Sequence, residues 1–311
     1  MASRIRQLAD RLLWLPSYPA FREAPARFAS RALGFTLREK FVSAQDVEFA
    51  TDDGHVFVSP PDNVSSFIAG VFGQRDLHVY RFWQRQLRQG AVFLDVGANI
   101  GLYGVPAGAV IGPRGAVVCF EANPRTFRYL TRNLARNRRA NVTAENLAVG
   151  AESGEIRIAT GARNAGEVHV ATEVEAGEVV PMVSLDGYCA DRGIDRVDYI
   201  KIDVEGFEAA VLSGARRVLA DNPDILVQTE YEPAHLARYG DSDALERLLR
   251  AQGLAPFALA WADGAATPIA SLDGYRGEIL WSRRDLAGMR PSAVDGLGRS
   301  GRLDRVPAGV D

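Results

Sequence analysis

Cysteine is scarce: Cys119 and Cys189 are the only two in 311 residues. They suit a reducing compartment and suggest neither a disulfide framework nor a zinc site, so both are expected to act as small buried apolar residues. Long hydrophobic runs are missing as well. No apolar stretch approaches the length of about 20 residues needed to span a bilayer. The N-terminus, MASRIRQLADRLLWLP, interrupts its apolar residues with arginines and lacks a continuous signal-peptide core. A cytoplasmic protein is the expectation. An excess of one charge sign is absent too. The 36 Lys and Arg against 39 Asp and Glu leave a net charge of −3, which removes the general case for nucleic-acid binding. Internal repeats and low-complexity tracts are not found. What remains, 47% hydrophobic and 24% charged residues, suits one α/β domain of about 200 residues with appendages.

Along the chain, residues 1–70 read as a helical and β-hairpin extension, 71–285 as the main domain, and 286–311 as a disordered tail without periodicity. Ile5, Leu8, Leu12 and Leu15 fall at helical spacing among Arg4, Arg6 and Arg11. That pattern fits a short helix packed on the body or a partner, or a peripheral membrane contact. Residues 1–40 carry eight Arg/Lys against three Asp/Glu, a balance of +5. VEFATDDGHVFVSP alternates around Asp53-Gly54 and predicts a hairpin, with His55 solvated in its turn. RDLHVYRFWQRQLRQG predicts a helix with Leu77, Tyr80, Phe82, Trp83 and Leu87 on its apolar side, stopped at Gly90. These residues would suit a dimer interface or the core equally, which leaves the oligomeric state open.

From there short apolar runs alternate with helical patterns, the mark of a mostly parallel sheet with helices on both faces. The runs are AVFLDV, AVVCFE, VTAENLAV, VDYIKID and DILVQTE. EIRIAT, EVHVAT and VVPMVSL read as added strands, and FALAWADG with GEILWSRR as a terminal antiparallel pair. AVFLDV runs directly into GANIG, which places that loop at the carboxyl end of the first strand, where doubly wound sheets bind ligands. Gly97 and Gly101 allow a sharp turn and close approach of a ligand. Asp95 separates two readings of the loop. A carboxylate there repels a pyrophosphate but suits a ligand bearing an ammonium and a sulfonium, as S-adenosylmethionine does. Glu121, 26 residues on and closing the next strand, is placed to accept hydrogen bonds from ribose hydroxyls. Asn123 and Pro124 read as the N-cap and first turn of the following helix.

The pieces DVGANIG (95–101), FEANP (120–124), NLAVG (146–150), SLD (184–186) and KIDVEGFEAAVLSGA (201–215), in this order, resemble the FkbM-type family of class I S-adenosylmethionine-dependent methyltransferases. The resemblance covers roughly residues 70–285. It implies a Rossmann-like α/β fold with a seven-stranded sheet whose last strand is antiparallel. It also implies that Asp95, Gly97, Asn99 and Gly101 surround the methionine part of the cofactor, that Glu121 holds the ribose and that Asn146 lies near the adenine, unless it only caps its loop. The family's members mostly methylate hydroxyl oxygens on sugars, glycolipids and secondary metabolites. A non-catalytic cofactor-binding protein is the competing class.

Methyl transfer is an in-line displacement at a sulfonium carbon, so the protein aligns the acceptor hydroxyl and removes its proton. Asp203 and Glu205 follow the fourth strand and face the same crevice; Glu230 ends the fifth, with His235 shortly after. Asp203, His235 and Glu205 are therefore the catalytic candidates, with Asp203 or His235 as general base. In the alternative, Asp203 and Glu230 help hold Mg²⁺. Local roles compete: in these Asp203 only shapes its loop, and Glu208 caps or charges the helix start after Gly206. Lys201 is expected to pair with an acid in the core. Of the remaining histidines, His78 is the stronger functional candidate and His169 reads as structural. DVEG occupies the place where amino-methyltransferases of nucleic acids carry an Asn/Asp-Pro-Pro-aromatic motif, so a nucleic-acid substrate is not expected.

Overall fold

Alternating residues around Asp53-Gly54 form the expected antiparallel hairpin, β1 (Val47–Ala50) and β2 (Val56–Ser59), with Gly54 at φ +86°. The structure is a computed structural model, and it describes residues 25–26, 30–31, 45–63, 69–70, 77–161, 164–171, 177–260 and 264–287. The basic amphipathic segment with Ile5, Leu8, Leu12 and Leu15, and the tail from residue 288, lie outside the described residues. The hairpin stacks Phe49 on Phe57 with ring centroids 5.7 Å apart, and both rings belong to the main hydrophobic core. His55 departs from expectation. It is buried, with Nε2 2.7 Å from the Arg139 guanidinium and Nδ1 3.0 Å from Asp53, so these two neighbours replace solvent.

Helix α1 (Leu77–Gln86) turns Val79 and Phe82 into that core and leads to β3 (Val92–Val96). Strand and helix then alternate: α2 (Gly104–Ile111), β4 (Ala116–Phe120), α3 (Pro124–Arg136) and β5 (Val142–Glu145). Asn123 caps α3 as expected, its side chain accepting from the amides of Arg125 and Thr126, with Pro124 in the first turn. VTAENLAV is not one strand. The chain leaves the sheet after Glu145, and β6 (Ala148–Val149) joins β7 (Gly154–Gly161), β8 (Asn164–Val170) and β9 (Glu178–Val183) in a separate sheet ordered β6-β9-β7-β8.

The main sheet resumes through α4 (Leu185–Arg192), β10 (Tyr199–Ile202), α5 (Glu208–Ser213), α6 (Arg216–Asp221), β11 (Leu226–Tyr231), α7 (Pro233–Leu236) and α8 (Ala244–Ala251). It finishes with β12 (Ala255–Leu259), β13 (Ala266–Pro268) and β14 (Gly277–Ser282). Its order is β13-β12-β14-β11-β10-β3-β4-β5. The five strands from β11 to β5 are parallel, while β14, β12 and β13 run antiparallel at one edge. The expected seven strands, with the last, β14, reversed between β11 and β12, are present, and β13 adds an eighth, also reversed, because the loop after β12 returns as a short extra edge strand. This is the expected Rossmann-like α/β architecture, with apolar clusters on both faces of the sheet. Among the described residues no helix is long and apolar enough to cross a membrane.

The order fixes where a ligand can enter. After β3 the chain moves outward through β4 to β5, then returns to place β10 and β11 on the other side of β3. The order therefore reverses between β3 and β10, and a crevice opens beyond their carboxyl ends.

Candidate active site

The loops after β3 and β10 meet at that reversal, and a third, after β11, packs on the second from outside the crevice wall. In the first, after β3, Gly97 takes φ +76°, and the amides of Gly97 and Ala98 both donate to the Phe120 carbonyl at 3.0 and 2.9 Å. A Cβ on Gly97 would stand 1.9 Å from the Asp203 carbonyl oxygen, so only glycine lets this loop press against the one after β10. Asn99 is also left-handed, φ +51°. Its amide donates to Glu121 Oε2 at 2.8 Å, and its side-chain oxygen accepts from Ile100 N and Asn63 Nδ2, both at 2.9 Å.

Asn133 on α3, fully buried, supports the loop from behind. Its amide donates to Ile100 O and Val58 O and accepts from Val58 N, and Asn137 one turn later pairs the same way with Val56. Two asparagines at i, i+4 thus stand in for a neighbouring strand along β2, and the hairpin becomes a strut for the glycine loop. Nothing in the reading of the sequence identified Asn63, Asn133 or Asn137. The spacing of 133 and 137 on one helix face was the available signal.

Glu121 lies in the crevice wall, with Oε2 taken by Asn99 N and Oε1 by Asn123 N at 2.8 Å. Each oxygen retains a further lone pair. Burial pushes its carboxyl up to about 7, partly offset by the Asn123 and Asn99 amides. Asn146 does not line the crevice. Its amide donates to the carbonyls of Glu121 and Ala122, at 2.8 and 3.0 Å, so it caps the neighbouring loop.

Asp95 is placed differently from the expected direct ligand. It is fully buried and absent from the crevice wall, because strand alternation turns it back toward Cys119 and Gly104. Its Oδ1 lies 4.0 Å from Lys201 Nζ, and burial raises the carboxyl to about 6, with Asp203 adding to the rise and Lys201 opposing it. Gly101, φ +91°, packs on Leu130 and likewise supports the loop from outside the wall. Gly97, Asn99 and Glu121 do line the crevice. Both cysteines are buried and free, as expected.

Lys201 bridges the two sides. It is one of two lysines in the chain, with Lys40. Buried on β10, it lies opposite Asp95 in register, 3.2 Å from Asp203 Oδ2, with its ammonium 4.7 Å from the centre of the Tyr103 ring. Burial alone would lower its pKa, but Asp203 and Asp95 outweigh that and raise it. The ammonium holds Asp203 at the crevice wall.

In the second loop, after β10, Glu205 is left-handed at φ +55° and lines the crevice with Asp203. Glu208, buried on α5, accepts from the Val204 and Gly206 amides through Oε1 and so organises the turn, as anticipated. Burial raises its carboxyl to about 7, against those amides. In the third, after β11, His235 Nδ1 stands 3.2 Å from Glu205 Oε2. A Cβ on Gly206 would lie 2.3 Å from the His235 carbonyl oxygen, so these two loops are also in close contact. Glu230, ending β11, joins Glu205 and His235 in one group whose donor atoms lie within 4.8 Å of one another. Asp203 does not belong to it, so the expected metal pair Asp203 and Glu230 is corrected: Asp203 is committed to Lys201 instead.

The small second sheet roofs the crevice with Ile158, His169 and Val170. Tyr239, beyond α7, holds it there by donating to Val170 O at 2.8 Å and meeting Phe207 edge-on. The ranking of histidines therefore reverses. His169 lines the crevice, whereas His78 is buried on α1 beneath Gly264.

Residues 95–254, more than half of the chain, match the family model described as the Methyltransferase FkbM domain. Over 156 residues the chain is 27% identical to the hexuronic acid methyltransferase AglP of Haloferax volcanii, a match covering 50% of this chain and 62% of that protein, under two thirds of its length. Among solved structures, a methyltransferase FkbM from Methylobacillus flagellatus aligns at 14% identity and a TM-score of 0.40, covering 86% of this chain and 60% of that one. Precorrin-6y C5,15-methyltransferase from Geobacter metallireducens aligns at 13% identity and a TM-score of 0.39, over 67% and 86%. These structural likenesses are too distant to add weight to a match that already spans all three of these loops. The chain belongs to the FkbM methyltransferase family.

Proposed function

We propose that the crevice binds S-adenosylmethionine and that the chain transfers its methyl group to a hydroxyl oxygen of a sugar, glycolipid or secondary metabolite. The observation that carries this is the geometry around Glu121: a crevice carboxylate held by two backbone amides, each oxygen with a lone pair left for a ribose hydroxyl. The rest of the crevice suits the same ligand. Gly97 and Asn99, both left-handed, let the loop approach the methionine end closely. Ala122, Leu147 and Phe207 give an apolar seat for the adenine. Asp95 acts at one remove, fixing Lys201 and through it Asp203. When bound, the cofactor supplies an electrophilic methyl carbon and a neutral leaving group.

The chain's own work is then to hold the acceptor in line and take its proton. Asp203 is the base favoured by position, since it lines the crevice and is oriented by Lys201. The Glu205–His235 pair is the second, with the imidazole Nδ1 3.2 Å from Glu205 Oε2. A sugar-like acceptor is supported by the hexuronic acid substrate named for the Haloferax volcanii relative. Residues 1–40, with their balance of +5, are proposed to steer the chain to an anionic partner or membrane surface, and no role for nucleic acid is proposed.

Transfer of a labelled methyl group to a panel of uronic acids, neutral glycosides and glycolipids tests the reading. Hydroxyl-linked label, lost in Asp203→Asn with cofactor binding retained, is expected. Cofactor binding without transfer to any hydroxylated acceptor would move the chain to the non-catalytic, cofactor-binding class.

A further inference from the structure

Glu205, Glu230 and His235 come from three separate segments: the loop after β10, the end of β11 and helix α7. They present two carboxylates and one imidazole, all half-buried, with the contributing atoms within 4.8 Å of one another. Donors bound about 2.1 Å from a single ion in tetrahedral or octahedral geometry stand about 3.0–3.4 Å apart, so closing the group around an ion needs side-chain movements of up to about 1.8 Å. Its framework is held from several sides. The Gly206 backbone lies against the His235 carbonyl, and Glu208 ties the Val204 and Gly206 amides on either side of Glu205.

We propose that these three residues bind one divalent first-row cation of the manganese or zinc type. The donor set decides the class. Mg²⁺ is served by oxygen and water alone, whereas an imidazole beside carboxylates suits Mn²⁺, Fe²⁺ or Zn²⁺. Three protein donors leave positions for water or for a ligand oxygen. Glu205 lines the crevice, so those positions open on the side where the proposed function places the acceptor hydroxyl. There the ion would lower the hydroxyl pKa and favour acceptors with two adjacent oxygens. The role in acceptor binding rests on the methyl-transfer reading; the site itself does not.

The test is titration of the full chain with Mn²⁺, followed by electron paramagnetic resonance, with S-adenosylhomocysteine binding measured in parallel. One bound Mn²⁺ is expected, weakened at least tenfold in both Glu230→Gln and His235→Gln and unchanged in Asp241→Asn, which alters an exposed acid paired with Arg247. S-adenosylhomocysteine heat should persist in all three, showing that they fold. Absent Mn²⁺ binding, or binding equal in the trio variants and wild type, would overturn the site and leave Glu205 and His235 as simple neighbours. Mn²⁺ binding without S-adenosylhomocysteine binding would uphold the site and remove the methyl-transfer reading instead.

Discussion

The two walls of the crevice are built on different principles. On the β3–β4 side, backbone does most of the work: amides of Gly97, Ala98, Asn99 and Asn123 are each committed to a carbonyl or to Glu121, and buried asparagines lock the loop to the hairpin. On the β10–β11 side, side chains meet side chains: Lys201 with Asp203 and Glu205 with His235. A roof from the small second sheet closes over them. The first wall keeps one shape, because contacts made by backbone amides are not exchanged by mutation. The second can be re-specified residue by residue, which is what choice among acceptors requires.

The largest effect expected from breaking this contrast is on the backbone wall. Gly97→Val places side-chain atoms against the Asp203 carbonyl and strains a left-handed position. It should abolish S-adenosylhomocysteine binding, as calorimetry would show. Next, Asn133→Ala leaves Val58 and Ile100 backbone groups without their buried partner. It should cost about 2–3 kcal/mol in denaturant unfolding. Retained stability would show that the hairpin is not a strut.

On the side-chain wall, Asp203→Asn should lower kcat at least tenfold while shifting cofactor affinity less. His169→Ala should mainly raise the acceptor KM, leaving S-adenosylhomocysteine binding close to wild type. The smallest effect is in pH. Asp95, Glu121 and Glu208 have folded pKa values raised above 3.8, 4.5 and 4.5, to about 6, 7 and 7. The folded state therefore holds more protons than the unfolded state between about pH 4 and 7, and their contribution to stability is lost as pH rises through that window. The unliganded Tm should fall from about pH 5 to pH 7.5, and Glu208→Gln should flatten the slope. A Tm that rises across the window would contradict these assignments.

Much of the first wall was legible in the sequence because strand-to-loop grammar is local. AVFLDV running into GANIG, and AVVCFE ending in an acid, place Gly97 and Glu121 without any knowledge of distant contacts. Asp95 shows the limit of that grammar. Its position beside the loop was correct, but which way its side chain turned depended on the sheet register with Cys119 and Lys201. The second wall was harder because it is assembled from afar. His169 reaches the crevice only because β6 to β9 leave the main sheet, and nothing in VTAENLAV signals the break after Glu145. The pairing of Glu205 with His235 spans a strand and two helices, a separation that periodicity does not encode. The eighth strand was missed for the opposite reason, since Ala266–Pro268 is too short to carry a pattern.

The central claim, that this crevice is a cofactor site built around Glu121, is tested most directly by calorimetric titration with S-adenosylhomocysteine. Wild type and Glu121→Ala should be compared after both are shown to be folded. The account predicts a single site in wild type, weakened at least tenfold in the variant, with wild-type affinity tightening as pH rises through about 7 and Glu121 ionises. No heat from folded wild type, or equal affinity in the two proteins, would contradict it.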